Sequence, residues 1–162
     1  MIEILIISAT KGNNLSLAKK IGDYVSIENK IISLEDFEMP LYVPKTKIIK
    51  SDVVNNLSEI FIQSKGFIFC APEYNGGSPP ILTNAITWLS VTTDNWRGAF
   101  VNKKAIIATH SGGAGFKFLT SFRSQLEHLG TIVYPRSIIV NKEKKFSAKS
   151  VKDILNEFEK LI

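Results

Sequence analysis

At 162 residues the chain fits one domain, expected to span 1–162, and its 44% hydrophobic and 22% charged residues exclude an intrinsically disordered polymer. A net charge of +5 permits an anionic partner, but the one dense basic cluster, Asn141-Lys142-Glu143-Lys144-Lys145, includes an acid and no aromatic and reads as a solvated loop. No apolar run approaches the ~20 residues of a membrane-spanning helix, no basic start precedes the first apolar run, and the lone Cys70 lacks an intramolecular disulfide partner. The expectation is a cytoplasmic protein with neither nucleic acid nor membrane as partner.

Taken in chain order, short β-rich runs alternate with stretches of helical spacing. Residues 3–8 (EILIIS) form a continuous apolar run of the kind found in a buried parallel strand. The stretch 15–28 places Leu17, Ile21, Tyr24 and Val25 on one helical side, and KIISL at 30–34 supplies a second strand. From Ser51 to Ser64, Val53, Val54, Leu57, Ile60 and Phe61 repeat at helical spacing behind a Ser51 cap. GFIFCAP is a third strand, and the helix after it carries Ile81, Leu82, Ala85, Ile86, Trp88 and Leu89 as a broad apolar stripe. KKAIIATH at 103–110 is a fourth strand, followed by a helix over 118–129; a fifth strand lies within GTIVYPRSIIV, and a last helix runs over about 147–162.

Five strands alternating with helices imply βαβ units, right-handed crossovers and a parallel sheet covered on both faces. The fold class expected is α/β, a flavodoxin-like three-layer sandwich with a five-stranded parallel sheet of order 2-1-3-4-5. In that order the connections reverse between strands one and three, so the loops after strands one, three and four converge at the carboxyl ends of the strands.

Those loops are also the chemically unusual stretches. After strand one, SATKGNNLS (8–16) offers hydroxyls, amides, Gly12 and a helix start, which suits a phosphate monoester; alternatively Asn13 or Asn14 caps the helix and Gly12 makes a turn. Neither G-x-x-x-x-G-K-[ST] nor G-x-G-x-x-G is present, which argues against a P-loop NTPase and a dinucleotide Rossmann site. After strand three, PEYNGGSPP sets Tyr74 beside Asn75, Gly76 and Gly77. Freed amides there suit the polar edge of a flat heterocycle; turn chemistry also explains Asn75-Gly76 and the prolines, but not Glu73 or Tyr74. After strand four, HSGGAGF carries Gly112, Gly113 and Gly115, either for close approach to a ligand or as a flexible loop.

Together these stretches resemble the NADPH-dependent FMN reductase family, which includes quinone, azo-dye and chromate reductases. PEYNGGSPPILTNAITWLS is similar to the family pattern at Pro72, Glu73, Tyr74, Asn75, Gly76, Pro79, Leu82, Asn84, Ala85, Ile86 and Trp88, and the likeness extends to Leu17-Ala18, Met39-Pro40-Leu41-Tyr42 and residues 111–115. Two departures stand out. Ile7-Ser8-Ala9-Thr10 replaces the family's G-S-x-R, so its phosphate-binding arginine is missing, and Gly115-Phe116 replaces a glycine pair.

The resemblance implies FMN as cofactor and NAD(P)H as co-substrate. Ser8, Thr10, Lys11, Gly12, Asn13, Asn14, Leu15 and Ser16 would hold the phosphate and ribityl chain. Pro72, Glu73, Tyr74, Asn75 and Gly76 would lie along the isoalloxazine, chiefly through backbone amides. Ser111, Gly112, Gly113 and Gly115 would border its other edge. Lys11 would stand in for the arginine as a point charge, without bidentate contact. No side-chain acid or base is expected to be catalytic, since the cofactor performs the redox chemistry. The acceptor would be a small molecule such as a quinone, free flavin, azo compound or metal oxyanion, and the assembly a homodimer or homotetramer.

Other readings share the fold. A flavodoxin-type electron carrier is typically acidic, whereas this chain is basic; a response-regulator receiver needs an aspartate where Cys70-Ala71-Pro72 ends strand three. A non-catalytic interaction module with weak or lost FMN binding is the remaining alternative. Cys70 and Trp88 read as packing residues, His110 as structural, and no metal site is expected.

Overall fold

The continuous apolar runs become strands because both sheet faces are covered, so each residue along them meets a hydrophobic neighbour. The computed structural model describes residues 1–44 and 52–162. It contains β1 (Ile2–Ser8), α1 (Asn13–Gly22), β2 (Asn29–Ser33), α2 (Asp52–Gln63), β3 (Ser64–Cys70), α3 (Pro80–Thr92), β4 (Lys104–His110), α4 (Phe116–His128), β5 (Ile132–Val133), β6 (Ile138–Val140) and α5 (Ala148–Phe158). All strand pairs are parallel, in the order β2-β1-β3-β4-β5, with β6 also pairing β4. This is the flavodoxin-like arrangement expected. The Ser51 cap expected for α2 lies outside the described residues.

The two faces follow from the period-2 alternation of strand side chains. Leu5, Ile7, Phe67, Phe69, Ala105 and Ile107 face α2, α3 and α4. Ile4, Ile6, Ile68, Cys70, Ile106 and Ala108 face α1 and α5. The first face is rich in rings: Phe61 lies 5.1 Å from Phe67 and 5.9 Å from Phe100 between ring centres, and Phe69 meets Phe122 edge-on at 5.1 Å. Each buried ring contributes about 1.5–3 kcal/mol by leaving water.

Cys70 is fully buried on the opposite face, where burial pushes its thiol pKa up and keeps it protonated. A soluble disulfide reagent is therefore expected to modify Cys70 only after denaturant unfolds the chain. Modification of native protein at the rate of an exposed thiol would contradict this placement.

Two elements differ from the sequence expectation. The first helix ends at Gly22, so Tyr24 and Val25 fall in the turn after it. A side chain at Gly22 would meet Ile31 Cδ1 at 2.9 Å, and the glycine lets the helix end pack against β2. The fifth strand is split in two. Ala105 and Ala108 of β4 pair with Val133 and Ile138, so the edge carries two extra residues between these contacts. Pro135 lies in the excursion and has no amide hydrogen to offer the ladder. The Arg123 guanidinium, from α4, donates to the carbonyls of Val133 (3.2 Å), Tyr134 (2.9 Å) and Pro135 (3.4 Å) there.

The helix behind the PEYNGG loop also positions a neighbouring segment. Pro80 opens α3 at its first position, where a missing N–H costs nothing. From that helix, Asn84 accepts from Tyr42 N and donates to Pro40 O, while Trp88 Nε1 donates to Pro40 O at 2.7 Å. The Tyr42 ring stands edge-on to Trp88 at 5.3 Å. Trp88 is thus buried scaffold, with its polar edge holding Met39–Tyr42. No helix among the described residues is long and apolar enough to cross a membrane.

Candidate functional site

At the carboxyl edge of the sheet, the loops leaving β1, β3 and β4 are tied side by side. Ala9 N donates to Cys70 O at 2.9 Å, Ala71 N to Ala108 O at 3.1 Å, and Glu73 N to Ser111 Oγ at 2.8 Å. They border a cleft of about 270 Å³. The first loop contributes Thr10, Lys11, Asn13 and Asn14, the second Pro72, Glu73 and Tyr74, and the third His110, Ser111 and Gly112.

The first loop leaves backbone donors free. Gly12 precedes α1 with φ +79°, and no side chain caps that helix. Among the described residues the Asn13, Asn14 and Leu15 N–H groups in its first turn therefore have no acceptor, and the helix dipole adds positive potential at the same place. Asn14 is not the cap. Its buried amide donates to His110 O at 3.0 Å and accepts from His110 N at 2.9 Å, fastening α1 to the end of β4. Ser8 lies beneath the loop, its hydroxyl donating to Thr10 O at 2.6 Å.

Lys11, expected to face the phosphate, borders the cleft and also reaches a carboxylate of the neighbouring turn. Its ammonium pairs with Asp36 at 2.9 Å, which raises its pKa, and its backbone N–H donates to Glu35 Oε1 at 2.8 Å. The charge that would replace an arginine is thus already matched by a neighbouring carboxylate.

The second loop is a tight turn with a purpose for Glu73. Tyr74 and Gly77 exchange backbone hydrogen bonds at 3.0 and 2.9 Å, with Asn75 and Gly76 between them at φ +50° and +72°. Both central residues tolerate positive φ, as Asn-Gly does best. The Asn75 and Gly76 N–H groups have no partner among the described residues, and the Tyr74 ring is half exposed beside them. The Glu73 carboxylate accepts from Phe118 N at 3.0 Å, supplying α4 with the cap that Gly115 cannot. Gly115 has φ +71°, and a Cβ there would meet Thr109 Cγ2 at 2.9 Å, so glycine is required. The Thr109 and Ser111 hydroxyls, 2.7 Å apart, complete this support.

Of the residues singled out in the sequence, Thr10, Lys11, Asn13, Asn14, Pro72, Glu73, Tyr74, Ser111 and Gly112 line the cleft. Ser16 borders an adjoining cavity instead, while Ser8, Gly12, Leu15, Asn75, Gly76, Gly113 and Gly115 belong to the loops but not to the cleft lining. His110 was read as structural, and its backbone is; the residue also borders both cavities. Its place as the last residue of β4, directly before Ser111, was the available signal.

A larger cleft of about 550 Å³ opens at the opposite edge of the sheet, near Ser64, Lys104 and Ile162. Burial draws the Lys103 pKa there down to about 8. Its ammonium nevertheless meets the carbonyls of Phe61, Ile62 and Ser64 at 2.8, 2.6 and 2.5 Å, which favour the charged form. Lys103 closes the end of α2. Ligands of parallel α/β sheets bind at the carboxyl edge, so the smaller cleft is the candidate site. Among the described residues no group of three His, Cys, Asp or Glu side chains is placed to hold a metal ion.

Comparison with solved structures returns the same architecture. FerB, a flavoenzyme NAD(P)H:(acceptor) oxidoreductase from Paracoccus denitrificans, superposes with a TM-score of 0.82 at 18% identity, covering 99% of this chain and 97% of that one. The apo form of an NADH:FMN oxidoreductase, EMOB, gives 0.74 at 14% identity, covering 98% and 89%. An azoreductase from Bacillus anthracis gives 0.70 at 14% identity, covering 99% and 98%. At these identities the likeness establishes the fold. No curated protein matches the sequence significantly. The family model described as NADPH-dependent FMN reductase matches residues 2–145, taking in all three loops that meet at the cleft, and the chain therefore belongs to that family.

Proposed function

We propose that the protein is an FMN-dependent NAD(P)H oxidoreductase that passes electrons from a nicotinamide cofactor through FMN to a small acceptor. The observation that carries this reading is the convergence of three loops on one cleft, with first-turn N–H groups of α1 free on one side and the Asn75-Gly76 amides free on the other. These features fit a cofactor with a phosphate at one end and a flat polar-edged ring at the other. When bound, FMN supplies reversible two-electron chemistry at its ring.

The chain's own part is binding and orientation. Asn13, Asn14 and Leu15 N–H groups receive the phosphate, and Asn14 keeps that helix end fixed to β4. Pro72–Gly76 form one wall for the ring, with Tyr74 at its margin and Ser111–Gly113 opposite. Gly112 and Gly113 have no atom within 4 Å of an added Cβ, so this rim is open for a second substrate. The working assembly is proposed to be a cytoplasmic homodimer or homotetramer.

Purified protein mixed with micromolar FMN is expected to quench flavin fluorescence, and to oxidise NAD(P)H only when an acceptor is added. Quinones, free flavin, azo dyes and ferric chelates form the acceptor panel. Absence of flavin binding at micromolar FMN would defeat the reading and favour a non-catalytic interaction module.

A further inference from the structure

A second cavity of about 130 Å³ adjoins the candidate site, sharing Asn13 and His110 with it. Its other walls include Ser16, Lys20 and Phe146. Ser16 and Lys20 are four residues apart on α1 and so share a face. Helical side chains lean toward the N-terminus, which carries the Lys20 stem back over the turn containing Ser16 and toward the uncapped helix end.

Lys20 makes no ion pair among the described residues. Its ammonium lies 5.8 Å from the centre of the Phe146 ring, which itself packs on Tyr24 at 6.0 Å. The His110 backbone at the shared wall is held in place, because Asn14 grips that residue's N–H and carbonyl. Among the described residues no acidic one borders this cavity. By contrast, the cation of the first loop, Lys11, is paired with Asp36. A phosphate monoester carries roughly −1.5 to −2 at pH 7 and gains most from an unmatched cation with free donors.

We propose that Lys20 and His110, at the wall of this side cavity, bind the phosphate monoester of the flavin together with the first-turn amides of α1. The inference rests on the flavin-binding reading above and adds side chains to it. Lys20 supplies the charge and His110 a ring N–H donor. Riboflavin, which lacks the phosphate, gains nothing from either.

The test is equilibrium titration of the full chain with FMN and with riboflavin, read by flavin fluorescence. The wild type is expected to prefer FMN. Lys20→Gln is expected to weaken FMN binding roughly tenfold, the scale of one hydrogen bond to a charged group, while riboflavin affinity stays within about twofold. Lys20→Arg should restore most of the FMN affinity, and His110→Ala should weaken FMN by about two- to tenfold without disturbing the Asn14 clamp, which uses only backbone atoms of residue 110. Retained riboflavin binding reports that each variant is folded. Equal losses for both flavins, unchanged FMN affinity in Lys20→Gln, or no wild-type preference for FMN would overturn the inference while leaving the flavin site standing. Binding of neither flavin to the wild type would remove the functional reading itself and this inference with it.

Discussion

Replacing Asn14 with leucine is expected to lower the unfolding free energy by about 2–5 kcal/mol in denaturant titrations. The side chain is 2% exposed and both of its hydrogen bonds go to the backbone of His110, 96 residues away. Leucine has nearly the same shape, so packing changes little, but the His110 N–H and C=O lose their partner. Each buried polar group left unpaired costs about 1–3 kcal/mol. Asn14→Asp keeps the acceptor, loses the donor and adds a buried charge, so it is expected to be no milder. Flavin affinity should fall with stability in both variants, because the same amide fixes the phosphate-suited helix end against β4. A leucine variant of native stability would contradict the clamp.

Phe69→Ala is expected to cost about 3–5 kcal/mol, the range for removing a buried phenyl ring. The ring is 1% exposed, meets Phe122 edge-on at 5.1 Å and lies 5.5 Å from Phe67 and 6.3 Å from Phe61. Alanine would leave a void between β3 and α4 that the surrounding strands cannot collapse to fill. Phe69→Leu keeps most of the volume and should cost less than half as much. Phe116→Ala serves as the contrast: that ring is 63% exposed, so its removal should change stability by no more than about 0.5 kcal/mol. Comparable losses at positions 69 and 116 would mean that the Phe69 ring is not part of the packed core.

Much of this molecule could be read from local pattern. The alternation of Leu5 and Ile7 against Ile4 and Ile6 follows from a parallel strand covered on both faces, and Asn75-Gly76 adopts the turn its chemistry favours. The meeting of the three loops follows from strand order alone. What local pattern could not reveal was which partners the polar side chains had chosen. Asn14 looked like a helix cap, yet its partner is 96 residues away; Glu73 looked unexplained, yet it caps a helix that starts 43 positions later at Phe116. Lys11, expected as a phosphate ligand, pairs with Asp36 in the turn after β2, a partner that its own loop does not announce. Such pairings depend on tertiary proximity, to which periodicity is blind. The split of the fifth strand was hidden similarly, because Pro135 marks an interruption without saying that the chain resumes pairing with the same neighbour.

The interrupted edge beside β4 has a consequence for self-association. An intact outer strand would present a row of unpaired amides and carbonyls, a template on which another chain can add. Here an arriving strand would find only a two-residue and a three-residue stretch, offset by a two-residue excursion. In that excursion and just before it, the carbonyls of Val133, Tyr134 and Pro135 already accept from the Arg123 guanidinium. Growth of the sheet by strand addition is blocked along this border, leaving β2 as the opposite one.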